Sequence, residues 1–268
     1  MNRREFIRGA AASLLTAGGC RLPDGGAPTV AGLEVGVQMW SVNDLWKKDP
    51  AAAFRRLRQI GYTGVQSFGF YAMDWNELGK MLDGEGLRIV DMPFYMKTLA
   101  EDEPKFLDFC ARFGIDFAYE PYAKFKTGAE WAKHAEELVA VSRRFAKRGI
   151  RVGYHNHRHE IGERFDGKSP AEILFDAGLP FELDVGHVKL AGGDPVAWLG
   201  RLGGRVPTIH AKPGGGNAVG APDDRNDWSA IFAASAAAGA KWAVVECETR
   251  RNTYEDVEAS MRYLRNMK

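Results

Sequence analysis

The chain has 268 residues, 45% of them hydrophobic and 26% charged, an ordinary globular composition with enough apolar material for one large core. Its 36 basic and 35 acidic residues leave a formal net charge of +1, so no broad basic field favours nucleic acid as a partner. No apolar run reaches the ~18 residues that a transmembrane span needs.

The first residues read as a targeting segment. Met1-Asn2-Arg3-Arg4-Glu5-Phe6-Ile7 precedes the mildly apolar, alanine-rich run Gly9–Gly19. Paired arginines followed by such a run resemble a twin-arginine export signal, which predicts a periplasmic or envelope-attached protein. Cys20 follows Ala17-Gly18-Gly19 and resembles a lipoprotein processing site, with Ala17 where such sites usually carry leucine. A lipid anchor at Cys20 is therefore one outcome of processing. Gly25–Gly32 reads as a flexible linker, which divides the chain into a signal and linker (1–32) and one folded domain (33–268). Cys110 and Cys247 each lie among apolar residues and read as small core residues, since two cysteines in so long a chain make no disulfide framework.

From Leu33 the pattern alternates strand and helix. Strand candidates are Leu33–Val42, Tyr62–Phe68, Leu87–Met92, Ile115–Tyr119, Arg151–His157, Phe181–Val185, Val206–Lys212 and Trp242–Glu246. Helices are predicted over Ala51–Ile60, Trp75–Glu85, Pro104–Phe113, Gly128–Arg148, Ser169–Ala177, Asp194–Leu202, Asp227–Ala238 and Tyr254–Asn266. Pro at a helix start and Gly past its end punctuate several of them, as at Pro50 and Gly61. Eight such units in ~235 residues predict a single-domain α/β fold, the (β/α)8 or TIM barrel of ~250 residues. An open doubly wound sheet is the alternative, but there is no Gly-x-Gly-x-x-Gly turn. Gly214-Gly215-Gly216 is not a Walker loop, because no Gly-Lys-Ser/Thr follows it.

Chemistry-bearing residues collect where these strands end. Three of the six histidines lie in R-V-G-Y-H-N-H-R-H-E-I (151–161): His155, His157 and His159. The sixth strand, F-E-L-D-V-G-H, carries Asp184 in an otherwise apolar run, with His187 just beyond. On the seventh, His210 and Lys212 share a face; on the eighth, Glu246 and Glu248 do, after four apolar residues. A charged group at the end of a buried strand is costly unless paired or bound to a metal. Asp, His and Glu from three adjacent strands, with a histidine from the fifth, supply mixed nitrogen and oxygen ligation suited to Zn²⁺, Mn²⁺ or a similar ion. A buried salt-bridge network using Lys189, Arg205 and Lys212 is the structural alternative.

The segments G-V-Q-M-W-S-V (36–42), G-Y-T-G-V-Q (61–66), V-G-Y-H-N-H-R-H-E (152–160), F-E-L-D-V-G-H-V-K-L-A-G-G-D-P-V (181–196), I-H-A-K (209–212), D-W-S-A-I-F (227–232) and S-M-R-Y-L (260–264) resemble the xylose-isomerase-like sugar phosphate isomerase/epimerase superfamily, in order and over nearly all of 33–268. That superfamily includes inosose dehydratases and 3-keto-glycoside lyases. The resemblance implies one divalent ion (Zn, Mn, Mg or Co) held by Asp184, His210 and Glu246. The fifth strand departs from the family pattern: no glutamate stands where the first ligand is expected. His157 is the candidate fourth ligand, with Glu120 in reserve. Gln66 stands where many relatives have Glu.

The implied activity is metal-dependent isomerisation or epimerisation of a sugar or keto-sugar through an enediolate. Glu246 is the expected base, with Lys212 or His157 as its partner. Trp40, Gln66, Glu120, His155, Glu160 and His187 are the expected substrate contacts. Loss of the first glutamate shifts weight toward β-elimination, which needs a single base. A carbohydrate-binding barrel without turnover is a further alternative, and a homo-oligomer is compatible with the sequence. A multi-metal nuclease is disfavoured, because neither its larger set of His and Glu ligands nor a basic surface is evident.

Overall fold

The predicted alternation of capped helices and short apolar strands closes into a ring in the computed structural model, which describes residues 29–248 and 253–267. The twin-arginine segment and Cys20 lie outside the described residues. The elements, in order, are β1 (Thr29–Val30), β2 (Leu33–Gln38), α1 (Asn43–Lys48), α2 (Pro50–Ile60), β3 (Gly64–Gln66), α3 (Trp75–Glu85), β4 (Arg88–Ile89), β5 (Met92–Pro93), α4 (Met96–Phe113), β6 (Phe117–Glu120), α5 (Gly128–Ala146), β7 (Arg151–His155), α6 (Arg158–Gly162), α7 (Pro170–Asp176), β8 (Phe181–Asp184), α8 (Val185–Leu190), α9 (Pro195–Leu202), β9 (Thr208–Ala211), α10 (Trp228–Ala237), β10 (Trp242–Val245) and α11 (Glu255–Asn266). Nine parallel strand segments run β4-β3-β2-β10-β9-β8-β7-β6-β5, the order of a nearly closed TIM barrel.

The ring is completed by one stretch, Arg88–Pro93. Its first half pairs with β3 and its second with β6. Between the halves Val90 N donates to Val65 O (3.0 Å), and just past the second half Phe94 N donates to Tyr119 O (2.9 Å). Strict alternation fails here. Val90 Cγ2 sits 2.6–2.9 Å from where a Cβ would project at Gly64 and Gly36, inside the barrel. Asp91, the next residue, also points inward and accepts from Gln66 Nε2 at 2.6 Å.

Helices pack on the outside through apolar faces that include Phe54, Leu57, Leu78, Phe109, Leu138, Phe145, Ile231 and Val257, all buried. Their starts are fixed locally. Asp49, Asp74, Asp194 and Asp227 accept backbone N–H groups at the starts of α2, α3, α9 and α10. Thr127 with Glu130, and Ser169 with Glu172, form capping boxes on α5 and α7.

Several boundaries differ from the sequence reading. Thr29–Gly32 is not linker. Thr29–Val30 pairs antiparallel with Leu33–Glu34 across a two-residue turn with φ of 47° at Ala31 and 84° at Gly32, the left-handed pair that a type I′ turn requires. The first strand stops at Gln38, whose side chain accepts from Trp40 N and starts a 3-10 turn over Met39–Val42. The fifth strand stops at His155, because His157 N donates to Glu160 Oε2 (2.8 Å) and opens α6. Helix α4 begins at Met96, before a break at Asp102 and Pro104; only its second half was read from the sequence.

Gly153 shows how tightly the fifth strand is held. A Cβ there would lie 2.3 Å from Pro180 O and 2.9 Å from the Phe117 ring. Gly153→Ala is therefore expected to destabilise the fold by at least about 1–3 kcal/mol, the usual cost of overpacking. Urea denaturation should show it as a lower midpoint at unchanged slope.

Candidate metal and catalytic site

Alternation along buried strands decides which side chains enter the barrel. On β8, Phe181 and Leu183 face the helices while Glu182 and Asp184 face inward. On β9, Ile209 faces out while Thr208 and His210 face in, followed by Lys212. Glu246 follows the apolar run of β10. Asp91, Glu182, Asp184, His210, Lys212 and Glu246 are all buried.

Three of these converge. His210 Nδ1 lies 3.2 Å from Glu246 Oε2 and 3.8 Å from Asp184 Oδ2. Ligand atoms of Asp184, His210 and Glu246 all fall within 4.8 Å of one another. Asp184 Oδ1 accepts from His187 N (2.7 Å), which starts α8. Its Oδ2 is buried with no hydrogen-bond partner. Such an orphaned carboxylate oxygen is costly unless something cationic meets it. Four carboxylates surround the Lys212 ammonium and the His210 ring, and the donor set, with His210 deprotonated at Nδ1, is one imidazole nitrogen with two carboxylates. These residues fit a divalent cation.

A second layer lies beneath. Gln66 Nε2 donates to Asp91 Oδ1 and Glu182 Oε1, both at 2.6 Å. Its Oε1 therefore faces His210 Nε2 (2.7 Å), and Gln38 Nε2 donates to the same oxygen. The reverse orientation would set the amide carbonyl against two carboxylates. Nε2 of His210 is thus committed to Gln66, leaving Nδ1 as the nitrogen that faces Asp184 and Glu246. Metal-bound histidines are commonly oriented by an acceptor of this kind. Burial raises Asp91 well above the usual carboxylate range, reinforced by Glu182, and burial raises Glu182 as well. This floor thus carries less than its full negative charge.

Electrostatics separates the roles of the remaining groups. Burial works against charge on His210, but Glu182 and Glu246 outweigh it and raise its pKa to about 9. Burial would also raise Glu246, yet Lys212 and His210 hold it well below its usual range, so it is ionised. Burial works against charge on Lys212 too, but Glu246, Asp184 and Glu248 overcome it, and the ammonium is retained. Its Nζ sits 2.5 Å from Glu248, 3.5 Å from Glu246 and 3.3 Å from His187 Nε2. Lys212, read from sequence as a partner base, is placed to donate a proton or hold negative charge.

The fifth strand brings His155 into the centre. Its ring is 4.6 Å from that of His210, and its Nδ1 is 3.0 Å from Glu182 Oε2. His155, Glu182 and His210 form a second group of ligand atoms within 4.8 Å. His157 belongs to neither group. Its ring lies 4.9 Å from His155 and 4.8 Å from His187, and its Nδ1 is buried without a partner. Burial first, then neighbouring histidines, lower His155 to about 3 and His157 to about 2, so both are neutral.

Other expected contacts are dispersed. Trp40, His155, His157, His210 and Glu246 line one cavity of about 640 Å³. Gln66 lies in the layer below. Glu120 faces outward: its Oε1 accepts from Met96 N (3.3 Å) and its Oε2 meets His134 Nε2 on α5 at 2.5 Å. Glu160 is engaged by Tyr154 Oη (2.7 Å) and His157 N (2.8 Å), which ties α6 to the barrel wall. Those partners replace the substrate contacts read for both glutamates. Asp91 and Glu182 were missed. The alternation F-E-L-D could have revealed Glu182, two residues before Asp184; no signal marks Asp91, because it breaks that alternation.

The family described as Xylose isomerase-like TIM barrel matches residues 54–267. A rhizopine catabolism protein of Rhizobium meliloti is 25% identical over 178 residues, 58% of this chain and 55% of its own length. An inosose dehydratase of Clostridium beijerinckii is 24% identical over 187 residues, 60% of this chain and 62% of its own. The chain thus spans somewhat over half the length of these curated relatives. A sugar phosphate isomerase/epimerase from Parabacteroides distasonis has the same fold, with a TM-score of 0.77 at 24% identity, over 89% of this chain and 95% of that one. Among the described residues, no helix is long and apolar enough to cross a membrane.

Proposed function

Since the chain belongs to the xylose isomerase-like TIM barrel family, we propose that it is a divalent-metal-dependent enzyme that removes the proton beside the ketone of a keto-sugar and then eliminates a leaving group from the next carbon. The observation that carries this reading is the convergence of Asp184, His210 and Glu246 around the unpartnered Asp184 Oδ2. These three would hold the ion, with His155 the nearest nitrogen from the fifth strand. Bound there, a divalent ion polarises a ketone oxygen and makes the adjacent C–H more acidic.

The chain's own groups supply the remaining steps. Glu246, ionised and facing the cavity, takes the proton from C2 of a 3-keto-glycoside. The electron pair moves onto the C3 oxygen, where the Lys212 ammonium lies close to Glu246 and offsets the new charge. Return of that pair forms the C1–C2 double bond and expels the aglycone oxygen from C1 toward the open mouth, where water protonates it. One base suffices. Two-faced exchange needs a second base on the opposite face of the substrate; His155 is already engaged by Glu182 Oε2 at 3.0 Å, and His157 stands outside both ligand groups. The dehydratase among the relatives also supports elimination.

Epimerisation is the second reading. It is favoured by His157 Nδ1, a buried ring nitrogen at the cavity with no hydrogen-bond partner of its own. Equilibrium dialysis with turnover assays tests the proposal: one divalent ion per chain is expected, with 3-keto-glycoside cleavage lost on chelation and restored by the ion. Cleavage that survives complete metal removal would contradict it.

We also propose export by the twin-arginine route, from Arg3-Arg4 and the apolar run after them. Arg3→Lys with Arg4→Lys is expected to retain the protein inside the cell, because paired arginines are read by a receptor. Fractionation that still finds it in the envelope would overturn this, and Cys20→Ser releases it from membranes only if a lipid is attached there.

A further inference from the structure

Large apolar side chains are exposed at seven of the described positions, and four of them are aromatics lining the same cavity: Trp40 (60% exposed), Phe68, Tyr95 and Tyr122 (each 43%). The cavity therefore has two chemical ends. One is polar, with His155, His210 and Glu246; the other is an aromatic rim. Its volume of about 640 Å³ lies well within the ~300–1,000 Å³ range of pockets that enclose drug-sized ligands.

Phe68 and Tyr95 make the most defined part of this rim. Their rings are nearly parallel, 6° apart with centroids at 5.3 Å. Both are held by backbone. Phe68 opens a 3-10 turn in which Ser67 Oγ accepts from Gly69 N (3.0 Å). Gly69 packs so closely on Trp46 that a Cβ there would meet the ring at 2.4 Å. Tyr95 precedes α4, and its carbonyl accepts from Leu99 N (2.9 Å). Behind the pair lies a second cavity of about 260 Å³, lined by Tyr71, Met92, Phe94, Leu99 and Phe106 and sharing Phe68 and Tyr95 with the first. An exposed, parallel aromatic pair presents apolar surface to water, and a planar ring stacks on the open face of such a pair in offset geometry.

We propose that Phe68 and Tyr95 form an aglycone subsite, so that the substrate is a glycoside with a planar, aryl-type aglycone. The sugar ring lies at the polar end, and the aglycone lies against the aromatic pair with the second apolar cavity beside it. The identity of the sugar end rests on the elimination reading above; the aromatic preference does not.

The test uses ligands that cannot react. Phenyl β-D-glucopyranoside and methyl β-D-glucopyranoside carry no ketone, so titration calorimetry on the full, metal-loaded protein reads binding alone. Phenyl glucoside is expected to bind about tenfold more tightly than methyl glucoside, the size of a favourable aromatic contact. Phe68→Ala with Tyr95→Ala should bring that ratio close to one. Phe68→Leu, which keeps apolar bulk in case the double variant does not fold, should lower it severalfold. Equal affinity for the two glycosides, no binding of either, or a ratio unchanged in the folded variants overturns the proposal. Turnover of methyl 3-keto-glucoside is scored separately. Turnover without the phenyl preference removes the subsite and leaves the reaction; the preference without turnover removes the reaction and leaves the subsite.

Discussion

Glu246→Gln is expected to lower turnover of a 3-keto-glycoside by about 10²–10⁴, the usual contribution of a positioned general base. Glutamine keeps the shape of the side chain, so packing at the end of β10 is preserved. It removes the carboxylate that Lys212 and His210 hold ionised. It also removes one oxygen of the candidate ligand set, so metal content must be measured on the same preparation. A loss of that size with metal retained assigns the effect to proton transfer. A loss that vanishes when excess ion restores occupancy assigns it to binding, and Glu246 is then a ligand only. A variant with unchanged turnover would remove Glu246 from the mechanism.

Asp184→Asn is expected to reduce metal affinity by at least about 10²-fold and to abolish activity with it, since even the groups that merely orient ligands are worth ~10–100-fold. Asn is the informative replacement. Asp184 Oδ1 accepts from His187 N at the start of α8, and Asn preserves that acceptor, whereas Ala would add a cap loss of ~0.5–2 kcal/mol. Wild-type protein should gain about 2.7 kcal/mol of stability when the ion is present at 100 times its dissociation constant. The Asn variant should gain no more than about 0.4 kcal/mol at the same ion concentration, which is then at most equal to its own dissociation constant. Equal stabilisation of the two proteins by metal would place the ion elsewhere.

Much of this site is legible in the sequence because a buried parallel strand is almost wholly apolar. Against that background Asp184, His210 and Glu246 stand out, each at the end of its run and each on an inward face. The barrel is legible for a related reason: proline-led starts and glycine-marked ends punctuate the helices regardless of tertiary context. What escapes is set by contacts between distant segments. Asp91 enters the barrel only because Arg88–Pro93 must pair with β3 on one side and β6 on the other. Glu120 has the composition of a site residue and the position of a strand end, yet the pleat turns it toward His134. The same parity brings His155 inward, whereas His157 lies where the strand has already given way to α6. Thr29–Gly32 has linker composition, but Ala31-Gly32 forms the tight turn that pairs β1 with β2.

The most direct test of the central claim is proton NMR of the metal-loaded protein with methyl 3-keto-glucoside in D₂O. Loss of methanol is expected, with any deuterium in recovered substrate confined to C2, because Glu246 alone exchanges the proton beside the ketone and the aglycone then leaves C1. Rapid interconversion of free ketose epimers, with the glycoside left intact, would contradict it and would assign the barrel to two-base epimerisation through Glu246 and His157.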